Sequence, residues 1–190
     1  MNFMEISSKD NANIKLVRKL FDSRKARREQ GMFMLEGARL VQDALKENAE
    51  LHFVLFTHSA LEKAENGEGK YGEALNLLEN VRNAPRAFVI PDDLGEKLSA
   101  TEGTQGIFAV CGIPDNGDFS DNVKSGGKYV VLHTLQDPGN MGTVIRTADA
   151  LGVDGIAAVG CCDIYNPKTV RSAMGALMRM PVYEVSEDEM

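Results

Sequence analysis

The chain has 190 residues, of which 43% are hydrophobic and 26% charged, and these ordinary globular values exclude a disordered or fibrous chain. Its three cysteines, Cys111, Cys161 and Cys162, are too few and too unevenly placed for a disulfide framework or a zinc site. Without a signal peptide or an apolar run of roughly 20 residues, the chain is expected to be cytoplasmic and not to bind a membrane.

The first 30 residues are basic in an otherwise acidic chain. They carry a net charge of +4, whereas the whole chain carries −7. We predict a helix capped by Asn11 or Asp10, with its basic residues on the exposed side. Such a local basic face can meet phosphates in one orientation, because the acidic remainder repels them elsewhere. An ordinary solvated helix face is the alternative, and the charge run alone favours it.

Residues 1–112 alternate between strand and helix patterns, which predicts an α/β domain. The connection His58–Tyr71 is rich in Glu, Lys, Gly and Asn and predicts an exposed loop. The predicted strands are Met32–Leu35, Leu51–Thr57, Ala87–Ile90 and Ile107–Cys111, and the later helices are Ala38–Glu47, one through Ala74 to Val81, and one from Asp92 to Leu98.

Residues 113–127 have the composition of a linker, and residues 128–190 form a second predicted domain. Its pattern is a βαβαβ unit with a parallel sheet. The predicted elements are strand Tyr129–His133, a glycine-rich turn, helix Thr143–Leu151, strand Gly155–Val159, helix Pro167–Met180 with Met174 inward, and strand Val182–Val185.

The glycine-rich segment Asp137–Gly142 lies between a strand and a helix, where backbone N–H groups can receive an anion. Arg146 lies off the buried stripe of the following helix. It is either a functional cation or half of a surface pair with Asp149, and the residues alone do not decide between them. The segment is not the GxGxxG of nicotinamide-dependent enzymes, which disfavours that class.

Three stretches resemble the SpoU, or TrmH, methyltransferases of the SPOUT superfamily. Leu135–Gly152 resembles the first signature of the family and contains its pattern Asn-x-Gly-x-x-x-Arg-x-Ala. Asp163–Ala176 is similar to a second family segment. Residues Ile6–Ala44, together with Leu98-Ser99 and Gln105-Gly106-Ile107, resemble the family's substrate-binding domain.

The resemblance implies an N-terminal α/β/α, ribosomal-protein-like RNA-binding domain and a partial Rossmann-like methyltransferase domain. It implies a homodimer that transfers a methyl group from S-adenosylmethionine to a ribose 2′-hydroxyl of rRNA or tRNA, with rRNA favoured. No metal is implied. Asn140 and Arg146 are the expected catalytic residues, and the candidate RNA-binding residues are Lys15, Lys19, Arg24, Lys25, Arg27, Arg28, Arg39, Lys168 and Arg171.

Two later signatures of the family, a Gly-Glu turn and a Ser-Leu-Asn segment, do not occur before Met190. In the family they form the cofactor pocket and the trefoil knot, so the cofactor-binding residues are unknown here. We therefore expect a fragment that does not bind S-adenosylmethionine by itself. The alternative is a non-catalytic RNA-binding scaffold protein.

Overall fold

The computed structural model describes residues 3–81, 85–99 and 103–189, so Met1 and Met190, the outer ends of the two predicted domains, lie outside the described residues. The chain forms two compact units that divide after Ile113. Both units combine helices with a sheet, which confirms the predicted α/β class.

The first unit contains a five-stranded mixed sheet. Its elements are β1 (Met4–Glu5), α1 (Ala12–Asp22), α2 (Arg24–Gln30), β2 (Met32–Glu36), α3 (Ala38–Lys46), β3 (Leu51–Thr57), α4 (His58–Glu65), α5 (Gly69–Asn80), β4 (Arg86–Ile90), α6 (Asp92–Leu98) and β5 (Ile107–Gly112). The strand order is β1-β4-β3-β5-β2, and β5 is antiparallel to both of its neighbours. The strands expected from the sequence are present, and β1 is too short to give a sequence pattern.

Helices cover both faces of this sheet. On one face, α1 and α6 place Ile14 and Leu94 in a buried cluster that also contains Leu55 of β3. On the other face, α3 packs against β2 and β5, while α4 packs against β3. Successive residues of a strand point to opposite faces of the sheet. Leu55 and Phe56 are both fully buried, so Leu55 packs into the core on one face and Phe56 into the core on the other. The α/β/α layering expected from the resemblance is present.

The basic N-terminal segment forms two helices rather than one. The side chain of Asn11 caps α1 by accepting a hydrogen bond from Asn13 N at 2.9 Å, as the sequence predicts. Ser23 ends α1 and also starts α2, because its hydroxyl accepts from Ala26 N at 3.2 Å. Gly31 then ends α2 in the left-handed conformation, with φ of 62°.

Arg27 does not belong to the exposed basic surface. Its side chain is buried, with 3% exposure, between α2 and the end of α1. The guanidinium donates hydrogen bonds to the carbonyl oxygens of Leu20 and, at 3.0 Å, Phe21. These carbonyls lie in the last turn of α1, where no helical N–H can reach them. Our placement of Arg27 among the RNA-binding residues is therefore wrong, because the side chain points inward to close a helix end.

The predicted loop His58–Tyr71 is also wrong, since the chain forms α4 and begins α5 there. Thr57 caps α4, its hydroxyl accepting from Ala60 N at 3.2 Å. The buried residues of α4 are Ala60 and Ala64. Two alanines four residues apart give α4 only a narrow buried face. The polar residues around them hide this helical apolar pattern in the sequence.

The second unit is built on a three-stranded parallel sheet. Its elements are α7 (Phe119–Asn122), β6 (Tyr129–His133), α8 (Pro138–Ala150), β7 (Gly155–Val159), α9 (Pro167–Ala173), a 3₁₀ turn (Ala176–Met178), β8 (Val182–Val185) and a 3₁₀ turn (Glu187–Glu189). The strand order is β6-β7-β8, and both pairings are parallel. This confirms the predicted βαβαβ pattern, with α8 and α9 as its crossovers.

Two helix boundaries differ from the prediction. α8 begins at Pro138 instead of Thr143, so the glycine-rich segment forms its first turn rather than a separate loop. α9 ends at Ala173 instead of Met180, because Met174 and Gly175 both have positive φ, 49° and 85°. Met174, which we expected to point inward, is 54% exposed.

The segment that precedes β6 packs on the second unit. Phe119 makes an edge contact with Tyr129 and a tilted ring contact with Tyr183, at ring-centroid distances of 5.6 Å and 5.3 Å. Asn116 donates its side-chain amide to Val182 O at 3.2 Å. Phe119 thus covers the sheet face that carries Ala157 and Val185.

The two crossover helices meet closely at Gly142. A Cβ atom on this residue would lie 2.4 Å from Thr169 O and 2.6 Å from Ser172 Cβ. No side chain fits at these distances, so only glycine allows the backbones of α8 and α9 to approach this far. Ile145 and Ala148 of α8 and Val170 and Ala173 of α9 are all buried.

Replacing Arg27 with Ala should lower the free energy of unfolding by about 2–3 kcal/mol, since the carbonyls that end α1 lose their buried donor. Arg28→Ala is the matched control, because the Arg28 side chain is exposed, and its effect should stay within about 0.5 kcal/mol. Urea unfolding followed by circular dichroism measures both. Equal effects would contradict the structural role of Arg27.

Gly142→Ala should lower the unfolding free energy by about 1–3 kcal/mol, because the added methyl forces α8 away from α9. The control is Thr143→Ala at the next, exposed position, where we expect a change within about 0.5 kcal/mol. Differential scanning calorimetry of the two variants compares them directly. A stable Gly142→Ala chain would mean that the two helices do not need this contact.

Candidate functional site

The start of α8 is organised by Asp137. One carboxylate oxygen, Oδ1, accepts a hydrogen bond from Asn140 N at 2.7 Å, which caps the helix. The other, Oδ2, lies 3.3 Å from Lys168 Nζ. The bond from the Asn140 backbone, helped by Lys168, lowers the pKa of Asp137 from its ordinary value. The carboxylate is therefore ionised at neutral pH and complements the positive end of the helix dipole.

Asn140 presents its side chain to solvent. Its backbone N–H is used by Asp137, whereas its amide has no hydrogen-bond partner among the described residues. The nearby hydroxyls of Thr143 and Thr147 are turned back onto the helix, where they donate to Gly139 O at 2.9 Å and Thr143 O at 2.8 Å. The Asn140 amide is consequently the polar group of the first turn that remains available to a ligand.

Arg146 is exposed on the same helix. Its Nη1 donates to the sulfur atom Sδ of Met174 at 3.0 Å. The surface-pair alternative is wrong, because Asp149 is taken by Arg179, whose Nη2 and Nε lie 2.6 Å and 3.3 Å from Asp149 Oδ2. Within the described ranges, no carboxylate pairs with Arg146. Its charge is therefore not neutralised by any of the described carboxylates.

α8 does not bring Asn140 and Arg146 onto one face. Six helical residues separate two side chains by about 9 Å along the axis and about 120° around it. Asn140 lies in the first turn, at the carboxyl end of the parallel strands, and Arg146 lies near the middle of the helix. A substrate that contacts both side chains must therefore wrap around the helix.

Lys168 and Arg171 of α9 are less available to phosphates than the sequence suggests. Asn166 caps this helix as predicted, accepting from Lys168 N at 2.9 Å. Lys168 is exposed but forms the ion pair with Asp137. Arg171 is half-buried, because α9 turns it toward the protein. Both stay candidate phosphate contacts, although Lys168 must share its charge with Asp137.

The remaining basic candidates form what we call the α1–α2 basic surface: Lys15, Lys19, Arg24, Lys25 and Arg28, all of which are exposed. Lys15 lies 3.1 Å from Asp10, and Lys25 lies 3.7 Å from Glu29. These exposed pairs are weak and can exchange for phosphates. Arg39 lies apart from this surface, on α3 in the other helical layer, 3.5 Å from Asp43.

The three cysteines are free thiols. Burial raises the pKa of Cys111 to about 12, so its thiolate is not formed at neutral pH. Cys161 and Cys162 are half-buried rather than buried. No group of three His, Cys, Asp or Glu side chains in the described part of the chain could hold a metal ion.

No helix in the described ranges is both long and apolar enough to span a membrane.

Sequence reasoning missed several residues that build this site. An Asp followed by a Pro is typical of a helix start. Asp137 and Pro138 therefore predict that α8 begins there and that Asn140 lies in its first turn. The contact of Arg146 with Met174 and the pairing of Asp149 with Arg179 had no sequence signal. These contacts join residues 28 and 30 positions apart in the chain, and only the crossing of α8 and α9 brings the partners together.

Both halves of the chain match known families. Residues 11–109 match the MRM3-like substrate binding domain, and residues 127–189 match the SpoU rRNA Methylase family. The chain is 30% identical over 179 residues to the 23S rRNA (guanosine(2553)-2′-O)-methyltransferase RlmP of Bacillus subtilis, covering 94% of this chain and 64% of that protein. It is 33% identical to the human mitochondrial rRNA methyltransferase 3, covering 84% of this chain and 36% of that protein.

Solved structures agree with these relatives. An AdoMet-bound rRNA methyltransferase from Sinorhizobium meliloti superposes with a TM-score of 0.79 at 26% identity, covering 98% of this chain and 66% of that one. The SpoU methyltransferase AviRb from Streptomyces viridochromogenes, in complex with AdoMet, gives 0.76 at 28% identity, covering 93% and 64%. The chain thus spans about two thirds of these bacterial relatives. The resemblance seen in the sequence is confirmed: the chain belongs to the SpoU rRNA methylase family and carries an MRM3-like substrate-binding domain before its methylase domain.

Proposed function

We propose that this protein takes part in methylation of a ribose 2′-hydroxyl of RNA, with S-adenosylmethionine as the methyl donor. Family membership defines the class of reaction, and the bacterial and mitochondrial relatives are named as rRNA methyltransferases. The observation that carries the proposal is Arg146, an exposed guanidinium on the first signature helix whose charge no carboxylate neutralises among the described residues. A preference for rRNA over tRNA, a homodimer and a cytoplasmic location are parts of the same proposal.

Arg146 would act on the nucleophile. A ribose hydroxyl attacks poorly because its oxygen must lose a proton as it bonds to the methyl carbon. A fixed cation beside that oxygen, or beside the adjoining phosphate, stabilises the negative charge that develops there. A guanidinium already paired with Asp149 would do this less well, and in this protein Arg179 occupies that carboxylate instead.

Asn140 would position the RNA at the other end of the same helix. Its free amide can donate to a phosphate or ribose oxygen, and its backbone is fixed by Asp137. Because about 9 Å of helix separates it from Arg146, the two side chains would contact different parts of the nucleotide or neighbouring nucleotides. Lys168, held at the start of α8 by Asp137, adds a cation near Asn140.

S-adenosylmethionine would supply an electrophilic methyl group on a sulfonium. In the loops that follow β6 and β7, two donors are already used by the neighbouring loop. Cys162 N donates to Leu135 O at 2.8 Å, and Gln136 Nε2 donates to Gly160 O at 2.8 Å. We therefore assign no donor-binding residue within the described chain and route no step through the donor.

The first unit would supply RNA affinity through the α1–α2 basic surface. Its five cations lie on consecutive helices of a domain that matches a substrate-binding family. Contacts of lysine and arginine with phosphates give affinity without sequence specificity, and they weaken as salt rises. Arg39 is a separate candidate, because it lies in the other helical layer.

A chain that changes Arg24, Lys25 and Arg28 together to Gln, with Arg27 kept, should bind rRNA more weakly. The slope of log affinity against log salt should fall by about 3, one for each lost phosphate contact. The control changes three exposed lysines of other helices, Lys46, Lys63 and Lys97, to Gln and so makes the same change in net charge. Filter binding at several salt concentrations measures both. Equal weakening by the two variants would show that net charge, and not this surface, governs binding.

In a chain extended by the family's two later signatures, Arg146→Ala should lower methyl transfer by about 100- to 1,000-fold, the usual effect of removing one charge-stabilising group. The unfolding free energy should change little, because the side chain is exposed. Thr147→Ala, at the next and likewise exposed position of α8, is the control and should retain activity. Transfer of tritiated methyl groups from S-adenosylmethionine to rRNA is the assay.

Near-full activity of the Arg146→Ala chain would remove Arg146 from the mechanism. If the extended chain without substitutions binds rRNA tightly and transfers no methyl group, the non-catalytic RNA-binding scaffold becomes the better description.

A further inference from the structure

Met174 stands out because packing does not explain it. The side chain is 54% exposed, so it does not fill the core beside it. Its backbone is left-handed, with φ and ψ both 49°, a conformation that non-glycine residues rarely adopt. Outliers of this kind cluster at functional sites. The sulfur atom of Met174 is the acceptor for Arg146 Nη1 at 3.0 Å.

The close crossing at Gly142 places these two side chains together. Gly142 touches α9 at Thr169 and Ser172. Arg146 is one turn farther along α8, on the same side as Gly142. Met174 follows Ser172 by two residues, and its left-handed backbone ends α9 there. The end of α9 is thereby brought to the guanidinium.

A second contact fixes the turn that follows Met174. Arg179 comes just after the 3₁₀ turn Ala176–Met178, and its guanidinium binds Asp149 Oδ2 at 2.6 Å. Asp149 is three residues beyond Arg146 on α8. The segment from Met174 to Arg179 is therefore anchored to α8, and the carboxylate nearest to Arg146 along the helix is occupied.

The chemistry of the contact suits a cation that must keep its charge. A carboxylate would orient the guanidinium but would also neutralise it. A thioether is a neutral and weak acceptor, so it can orient one N–H group while the positive charge remains available to a substrate. The donors of Arg146 that do not face sulfur stay free to meet an RNA oxygen.

We propose that Met174 is a positioning residue for Arg146, orienting the guanidinium through a neutral sulfur acceptor while Arg179 keeps Asp149 away from it. The proposal rests on the function proposed above for Arg146, and it adds Met174, Asp149 and Arg179 to the site. Met174 does not touch the reacting atoms. It acts by restricting the directions in which Arg146 can point.

Three substitutions of Met174 separate this role from plain packing. Met174→Leu keeps size and removes the acceptor, Met174→Gln restores a neutral acceptor, and Met174→Glu provides an acceptor that neutralises Arg146. All three are unbranched at Cβ, so the cost of the left-handed backbone is similar in each. Met178→Leu, in the neighbouring 3₁₀ turn, is the matched control.

The first measurement does not depend on activity. In the chain labelled with ¹⁵N-arginine, the Nε–H signal of Arg146, assigned with Arg146→Lys, should show restricted motion by heteronuclear relaxation. Met174→Leu should increase its motion, and Met174→Gln and Met174→Glu should restore the restriction. An Arg146 that is as mobile in the unaltered chain as in Met174→Leu overturns the proposal.

The second measurement is methyl transfer to rRNA by the chain extended with the family's two later signatures. Met174→Leu should lower kcat about 10- to 100-fold, the size expected for a misplaced catalytic group, with little change in KM for RNA. Met174→Gln should recover most of this loss, whereas Met174→Glu should stay low although Arg146 is ordered. Full activity of Met174→Leu, or an equal loss in Met178→Leu, overturns the proposal. Absence of transfer by the extended chain without substitutions defeats the proposed function instead, and the relaxation measurement then decides alone whether Met174 positions Arg146.

Discussion

The close contact of α8 with α9 at Gly142 is the constraint on which the candidate site depends. Because a methyl group at this position would lie 2.4 Å from Thr169 O, the two backbones meet without an intervening side chain. That approach sets where α9 ends relative to α8, and so brings Met174 to Arg146 and Arg179 to Asp149. A larger residue at one buried position would thus disturb several exposed contacts at once.

Three arginines of this protein show that the burial and the partners of a guanidinium determine what it can bind. Arg27 is buried and directs its donors to the carbonyls that end α1, where five N–H groups in a planar fork can satisfy several acceptors. Arg179 is committed to a carboxylate. Arg146 is exposed and contacts only a neutral sulfur among the described residues. These three residues are chemically alike, yet of the three only Arg146 keeps its charge available to a ligand within the described part of the chain.

The first signature segment combines structural and functional positions. Asp137 caps α8, and Gly142 admits α9, so these residues are explained by the fold alone. Asn140 and Arg146 have no such explanation, since both are exposed and neither fills the core. Separating the two kinds of position identifies the side chains on which the proposed chemistry rests, and it distinguishes residues whose loss unfolds the site from those whose loss disables it.

The sequence alone determined the α/β class, the order of most strands and helices, and the family, because apolar periodicity and cap residues are local properties. It also identified Asn140 and Arg146 as candidates. It failed where long-range contacts decide the outcome: Arg27 looked like one of a run of surface cations, and Met174 looked like helix core. The tertiary structure turned the first inward and the second outward, because only the packing of helix against helix determines which carbonyls need a donor and where a helix must end.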